Sequence, residues 1–336
     1  MNRSSATGLT ALLCLAAVLH GCARAPVRSD AAPPAASAAA EGTCVRAQHA
    51  TTLRGTLVPA ARDAQLPAMP ASHPFSRTAV DTSRAIGVLP ELAVIVTGRE
   101  RGLSAEQMLL ARQVLMERIM LTMLDVASVT GEIDCENERS AQLRDQLRKA
   151  EEQRLRSLTV AGLVLGAATA ILSGGIALAN PDAAAANVVN VVGGTAQAGT
   201  GFATLSHAPR GALRHDRNLM ADLWAGKPSS EMFPPSVWRF LNEVEDHQSG
   251  TLLRQRLIEQ WKAGERLGPS GSDEEQQRAA LIFGSGGEYT IDDLEARDAM
   301  LDQLEATVKL LYQDLALLLR ELSDWTAANF YQPVPR

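Results

Sequence analysis

The sequence predicts an all-α protein: a helical bundle with a long helix running into a Gly/Ala-rich transmembrane-type helical hairpin. Three observations carry this. Residues 157–206 contain no Lys, Arg or Glu and are broken only at Asn180-Pro181-Asp182. Near the end of the chain, Leu294, Leu301, Leu304, Val308, Leu311, Leu315, Leu318, Leu322 and Trp325 hold a sustained heptad, with Arg297 as the one charged exception. Strand signals are scarce, since aromatic residues make up 4% of the chain and β-branched clusters fall mainly within the hairpin.

The first element, residues 1–21, reads as an export leader, with Arg3 followed by an apolar core from Leu9 to Leu19. It ends in Leu19-His20-Gly21-Cys22, which resembles the lipobox of bacterial lipoproteins, where cleavage precedes a diacylated cysteine. His20 departs from the small or apolar residue usual there, and Ala23-Arg24-Ala25 is the alternative, ordinary cleavage site. The resemblance implies lipidation at Cys22. With Ala23 rather than Asp after the cysteine, it also implies an outer-membrane lipoprotein facing the periplasm of a bacterial cell envelope.

Residues 22–43 follow as an Ala/Pro-rich, disordered tether. Cysteine arithmetic then leaves Cys44 and Cys135 in an oxidising compartment, where a disulfide is the natural reading and two unpaired thiols the alternative. Neither has a second Cys or a His at ligand spacing, so no metal and no cofactor is expected.

Residues 44–156 form an N-terminal helical region and charged stalk. The stretch 45–82 has scattered Pro and no sustained period, and reads as mostly irregular. A long helix starts at Ser104, where Ser104-Ala105-Glu106-Gln107 has the capping-box form. Met108, Ala111, Leu115, Ile119, Thr122, Val126, Val129 and Ile133 make its apolar stripe. Beyond Cys135 the pattern turns charged, with Leu143, Leu147 and Ala150 as a thin seam, which reads as a solvated stalk.

The glycine-zipper hydrophobic hairpin occupies 157–206. Its first arm, Ser157 to Ala179, is long enough to cross a bilayer, and Gly162, Gly166, Ala170 and Gly174 recur every fourth residue as a groove for helix packing. Its second arm, Ala183 to Ser206, places Asn187, Asn190, Gly194, Gln197 and Gly201 on one stripe, which should face a partner helix or water while valines face lipid. Burial inside a soluble helical oligomer is the alternative. Arg148, Lys149, Arg154 and Arg156 before the hairpin, and Arg210, Arg214 and Arg217 after it, form a collar suited to anionic head groups.

The C-terminal helical region spans 207–336. Leu213 to Trp224 reads as a short helix stopped by Gly226-Lys227-Pro228. Pro235 sits near the start of a second helix, with Val237, Phe240, Leu241 and Val244 as its buried face. Leu253, Leu257 and Trp261 mark a third. Trp224, Trp238 and Trp261 are expected in the core rather than at an interface. Phe283-Gly284-Ser285-Gly286-Gly287 lacks the spacing of a nucleophile elbow and reads as a flexible loop. Arg214-His215-Asp216-Arg217 reads as a charged helix start near lipid. Thr290-Ile291-Asp292-Asp293 caps the last helix, which should pack against the helix that begins at Ser104.

No matched nucleophile, base and orienting group is present, so catalysis is not expected. A nucleic-acid partner is excluded too, because acids are interleaved with the basic residues and the chain is exported. The hairpin is similar in organisation to the two-helix segments of small bacterial outer-membrane lipoproteins, and that resemblance implies self-association and envelope location. The blocks Asp134-Cys135-Glu136-Asn137-Glu138-Arg139 and Phe233-Pro234-Pro235-Ser236-Val237-Trp238 resemble uncharacterised exported bacterial proteins, which implies no activity. The expected partners are membrane lipid, further copies of the chain and an envelope protein. The expected role is a non-enzymatic, structural one in envelope integrity, with a pore-forming or membrane-disrupting protein and a soluble-bodied periplasmic adaptor as alternatives.

Overall fold

A computed structural model describes residues 69–179, 208–246 and 249–330. The predicted leader, the tether, Cys22, Cys44 and the second hairpin arm with Asn187, Asn190, Gly194 and Gln197 lie outside the described residues. Among the described residues the chain is mostly helical, with eight helices and two short strands. In chain order these are α1 (Arg77–Ala85), α2 (Leu89–Thr97), α3 (Ala105–Ala179), β1 (Gly211–Arg214), α4 (Leu219–Ala225), α5 (Pro235–Glu243), α6 (Leu253–Ala263), α7 (Asp273–Phe283), β2 (Gly286–Tyr289) and α8 (Ile291–Phe330).

The frame is the pair α3 and α8, both opened by reciprocal capping boxes. Ser104 Oγ accepts from the Gln107 amide while the Ser104 amide donates to Gln107 Oε1. Thr290 and Asp293 make the same exchange at α8. Each box satisfies two donors that a helix start would otherwise leave bare. The two helices run antiparallel. Arg112 reaches Thr326, Tyr312 bonds the Met123 carbonyl, and Asn137, Arg144 and Arg148 meet Asp302, Asp298 and Glu295 in turn.

Between them lies the predicted seam: Leu115, Ile119, Val126, Val129 and Ile133 against Leu301, Leu304, Val308, Leu311, Leu315 and Leu318, all buried. Each such side chain contributes about 1.5–3 kcal/mol relative to exposure. The smaller helices complete the core. α1 packs on α8 and α5, α2 on α3, α6 on α5 and α8, and α7 on α4 and β2. Val237, Phe240, Leu241 and Val244 of α5 and its C-terminal edge are buried, as are Leu253, Leu257 and Trp261 of α6. Trp261 and Trp238 sit in the core, and Trp224 is half-buried, stacked on Phe283 at 4.3 Å between ring centroids.

Several expectations need correction. The chain is not irregular to residue 82, because Ser76 caps α1 by accepting from the Ala79 amide. The section after Cys135 is not a free stalk. Its Leu143 and Leu147 are buried, Arg144 and Arg148 pair with α8, and the solvated stretch begins at Lys149, with Ala150 exposed. Leu213 belongs to β1, and α4 begins only at Leu219, capped by Asn218 and closed by Gly226 in the left-handed region.

The supposed flexible glycine loop is the entry to a strand. β2 pairs antiparallel with β1, Gly211 opposite Tyr289 and Arg214 opposite Gly286. Gly286 is obligatory at this joint. It has φ +88°, and a Cβ there would lie 2.1 Å from the Leu213 carbonyl oxygen.

Candidate functional site

The densest chemistry among the described residues sits where the strand pair meets α3 and α8. The buried stripe of α3 continues past Ile133 through Glu136, Ser140, Leu143 and Leu147, so Glu136 occupies a core position. Arg297 occupies the matching core position of α8 and is 2% exposed. Arg297 Nη2 donates to Glu136 Oε2 at 2.7 Å, and Arg139 Nη1 donates to Glu136 Oε1 at 2.7 Å. One carboxylate therefore satisfies two guanidiniums. Arg139 also reaches the Arg214 carbonyl at the end of β1.

His215, immediately after β1, is enclosed by the same groups. Tyr289 Oη donates to the Leu281 carbonyl at 2.9 Å, so its oxygen accepts the His215 Nε2 proton at 2.7 Å. That leaves the His215 Nδ1 lone pair facing Arg297 Nη2 at 3.5 Å. Burial, and then the charges of Arg297 and Arg139, push the imidazole down to about 3. The ring is neutral and its orientation fixed. Burial likewise raises the Tyr289 phenol well above its ordinary value.

A second ion pair lies one turn back on α3. Arg217 Nε donates to Glu132 Oε1 at 2.8 Å and Arg217 Nη2 to the Met232 carbonyl at 2.9 Å. Together the two pairs fasten the β1 end and the segment before α4 onto the helix pair. The Arg214-His215-Asp216-Arg217 stretch is therefore no lipid-facing helix start. Nor is the collar intact, because Arg217 points inward and Arg148 is engaged with Glu295.

The cluster is closed to solvent at its histidine. His215 has no exposed side-chain surface, and its two nitrogens are occupied by Tyr289 and Arg297. A groove of about 510 Å³ between α5, α6 and α8 has Phe240, Leu253 and Leu257 on its apolar side and Asp246, Arg256 and Gln303 on its polar side. Another, of about 370 Å³, is lined by Arg210, Glu274, Arg278 and Glu288. Neither is lined by Glu136, His215, Tyr289 or Arg297. Among the described residues no group of three or more His, Cys, Asp or Glu is placed to hold a metal ion.

The residues expected from sequence to matter fall elsewhere. Cys135 lies on α3 and is disulfide-bonded. The described residues contain no other cysteine, so its partner is one of Cys14, Cys22 and Cys44. Gly162, Gly166, Ala170 and Gly174 lie in the helical backbone of α3, with their surroundings outside what is described. Among the described residues no helix is long and apolar enough to cross a membrane.

Sequence reasoning singled out Arg297 as a heptad exception but missed Glu136, Tyr289 and the burial of His215. The available signal was the three-four spacing Val129, Ile133, Glu136, Ser140, Leu143, Leu147, which carries the buried face straight through the charged section. No protein-family model, no curated protein and no solved structure matches the chain.

Proposed function

We propose that this chain is a non-enzymatic envelope lipoprotein whose helical body holds out an apolar arm for membrane insertion and self-association. The observation that carries the reading is the continuity of α3. It begins inside the bundle, makes an ion pair to Glu295 near the start of α8 at Arg148, and continues without a break to Ala179. The 31 residues after Arg148 extend about 46 Å at 1.5 Å each. Leu155, Val160, Leu163 and Val164 on this extension are exposed.

A helix extension of that length gains little from propensity alone and is stabilised by something that covers its apolar side chains. Lipid and a second glycine-ridged arm both meet that need. The arm is then the first half of a transmembrane-type hairpin, with Gly162, Gly166, Ala170 and Gly174 against a partner helix and Asn187, Asn190, Gly194 and Gln197 on the return. Acylation of Cys22 supplies a second anchor beside the inserted arm.

The test separates the two anchors. The chain is exported through an ordinary cleavable leader, so that Cys22 carries no lipid, and membranes are washed with alkaline carbonate. Retention in the membrane pellet, with crosslinked oligomers that Gly166→Leu reduces severalfold, supports the proposal. Complete extraction of the unlipidated protein refutes insertion of the hairpin.

A further inference from the structure

The face of α3 turned away from α8 carries apolar residues over most of its length where a solvated helix should be polar, interrupted by the hydrogen-bonded pair Gln113 and Glu117. Leu109, Leu110, Met120, Leu121, Met123 and Leu124 are all exposed, Leu124 by 67%. Ser128 and Gly131 prolong this face, and a Cβ at Gly131 would meet nothing within 4 Å. A stripe of this kind on a helix already buried along its opposite side calls for a second covering element.

Cys135 identifies the occupant. Positions 124, 128, 131 and 135 follow one another at spacings of four, three and four, so Cys135 closes the same stripe. It is disulfide-bonded; on the export and acylation proposed above, Cys14 leaves with the leader and Cys22 carries lipid, so Cys44 is the partner and residues 45–68 join it to Met69. The other end of this segment is fixed as well. Met69 packs on the core, and the Ser76 amide donates to Glu321 Oε2 at 2.8 Å. On α8, Glu321 falls between Tyr312 and Thr326, which bond to Met123 and Arg112 of α3.

The segment then travels from the level of Cys135 back to the level of residues 112–123, past most of the apolar stripe. From Cys135 to Leu110 is about 38 Å of helix, whereas 24 residues can span up to about 80 Å. Its chemistry also fits. Residues 45–68 hold Val45, Leu53, Leu57, Val58 and Leu66, with Arg46, Arg54 and Arg62 against the single acid Asp63. Along the α3 face, Glu117, Asp134 and Glu138 are exposed.

We infer that residues 45–68 lie along the outer face of α3 as a belt that covers the Leu109–Gly131 stripe and is pinned at one end by the Cys135 disulfide. The belt rests on the export and acylation proposed above, which leave Cys44 as the partner of Cys135, and is independent of what the glycine-ridged arm does. It makes the outer stripe an internal surface of the body, leaving the arm as the part that engages membrane or further copies.

Replacing Leu124 with the photo-crosslinking residue p-benzoylphenylalanine in the mature, full-length protein tests it, with isotopically heavy and light chains mixed before irradiation. Light-light and heavy-heavy products joining position 124 to residues 45–68 are expected. Mixed heavy-light products, crosslinks to lipid or another protein, or no crosslink would overturn the belt. Hydrogen exchange gives a second reading: amides of residues 45–68 should be protected, and Cys135→Ser should lower that protection at least tenfold while the far-ultraviolet circular dichroism is unchanged. Unprotected amides in the unaltered protein would equally overturn it.

Discussion

Removing Glu136 should cost far more stability than removing its partner Arg297, and the asymmetry can be worked from the geometry. Glu136 accepts from two guanidiniums, Arg297 at 2.7 Å and Arg139 at 2.7 Å. In Glu136→Leu, Arg297 is left 2% exposed with no anion, and its Nε and Nη1 already lack protein partners. An uncompensated buried charge costs about 3–5 kcal/mol. In Arg297→Met the carboxylate keeps Arg139, and the loss is one charge-assisted hydrogen bond, about 1.5–3 kcal/mol, offset in part by the apolar methionine stem.

The double variant Glu136→Leu with Arg297→Met removes both charges and should recover more than half of the Glu136→Leu loss, since buried pairs are commonly replaceable by apolar side chains. Thermal unfolding followed by circular dichroism, with the disulfide kept oxidised, reads the difference. The midpoint for Glu136→Leu should fall on the order of 10 °C for a body of this size, with Arg297→Met and the double variant between it and the parent. Equal losses for the two single variants, or additive losses in the double, would refute the view that one carboxylate satisfies this network.

Two further predictions concern the same joint. His215 has a folded-state pKa near 3 against an ordinary 6.5, so between those values the unfolded chain binds a proton that the folded chain does not. Its stabilisation is complete above about pH 6.5 and is lost as pH falls toward 3, by up to about 1.4 kcal/mol per pH unit. Burial raises Asp125 and Asp298, whose contributions run the opposite way just above the usual carboxylate range. His215→Gln should therefore flatten denaturant midpoints plotted between about pH 5 and 6.5; an unaltered slope would show that the imidazole protonates in place. Gly286→Ala should destabilise by about 2 kcal/mol or more through its positive φ and backbone clash, whereas Gly131→Ala, with open space around it, should stabilise by about 0.5–1 kcal/mol. Urea unfolding that showed equal effects at the two glycines would contradict the Gly286 geometry.

Apolar spacing and capping residues are enough to place the long helices, their buried faces and their starts. Those features are written in neighbours three, four and seven residues apart: the α8 heptad, the Ser104 and Thr290 boxes, and the faces of α5 and α6. Each is settled within a turn or two of helix, where local hydrogen bonds and apolar spacing act together. What lies across a buried face is not encoded in its period. Glu136 and Arg297 read as noise in two stripes until the antiparallel packing of α3 and α8 puts them 2.7 Å apart across 161 positions of chain.

The strand pair was equally illegible. Gly211–Arg214 and Gly286–Tyr289 are four residues each with no shared turn, so neither carries a hairpin signal and each forms only because the body brings its partner alongside. His215 followed the strand: its sequence neighbours Arg214, Asp216 and Arg217 suggest a solvated ionic stretch, but the pairing of β1 with β2 swings the ring against Tyr289 and into the core. Desolvation then made it neutral, a property no window of sequence around it contains, because the charges and the burial that set it come from α3, α8 and β2.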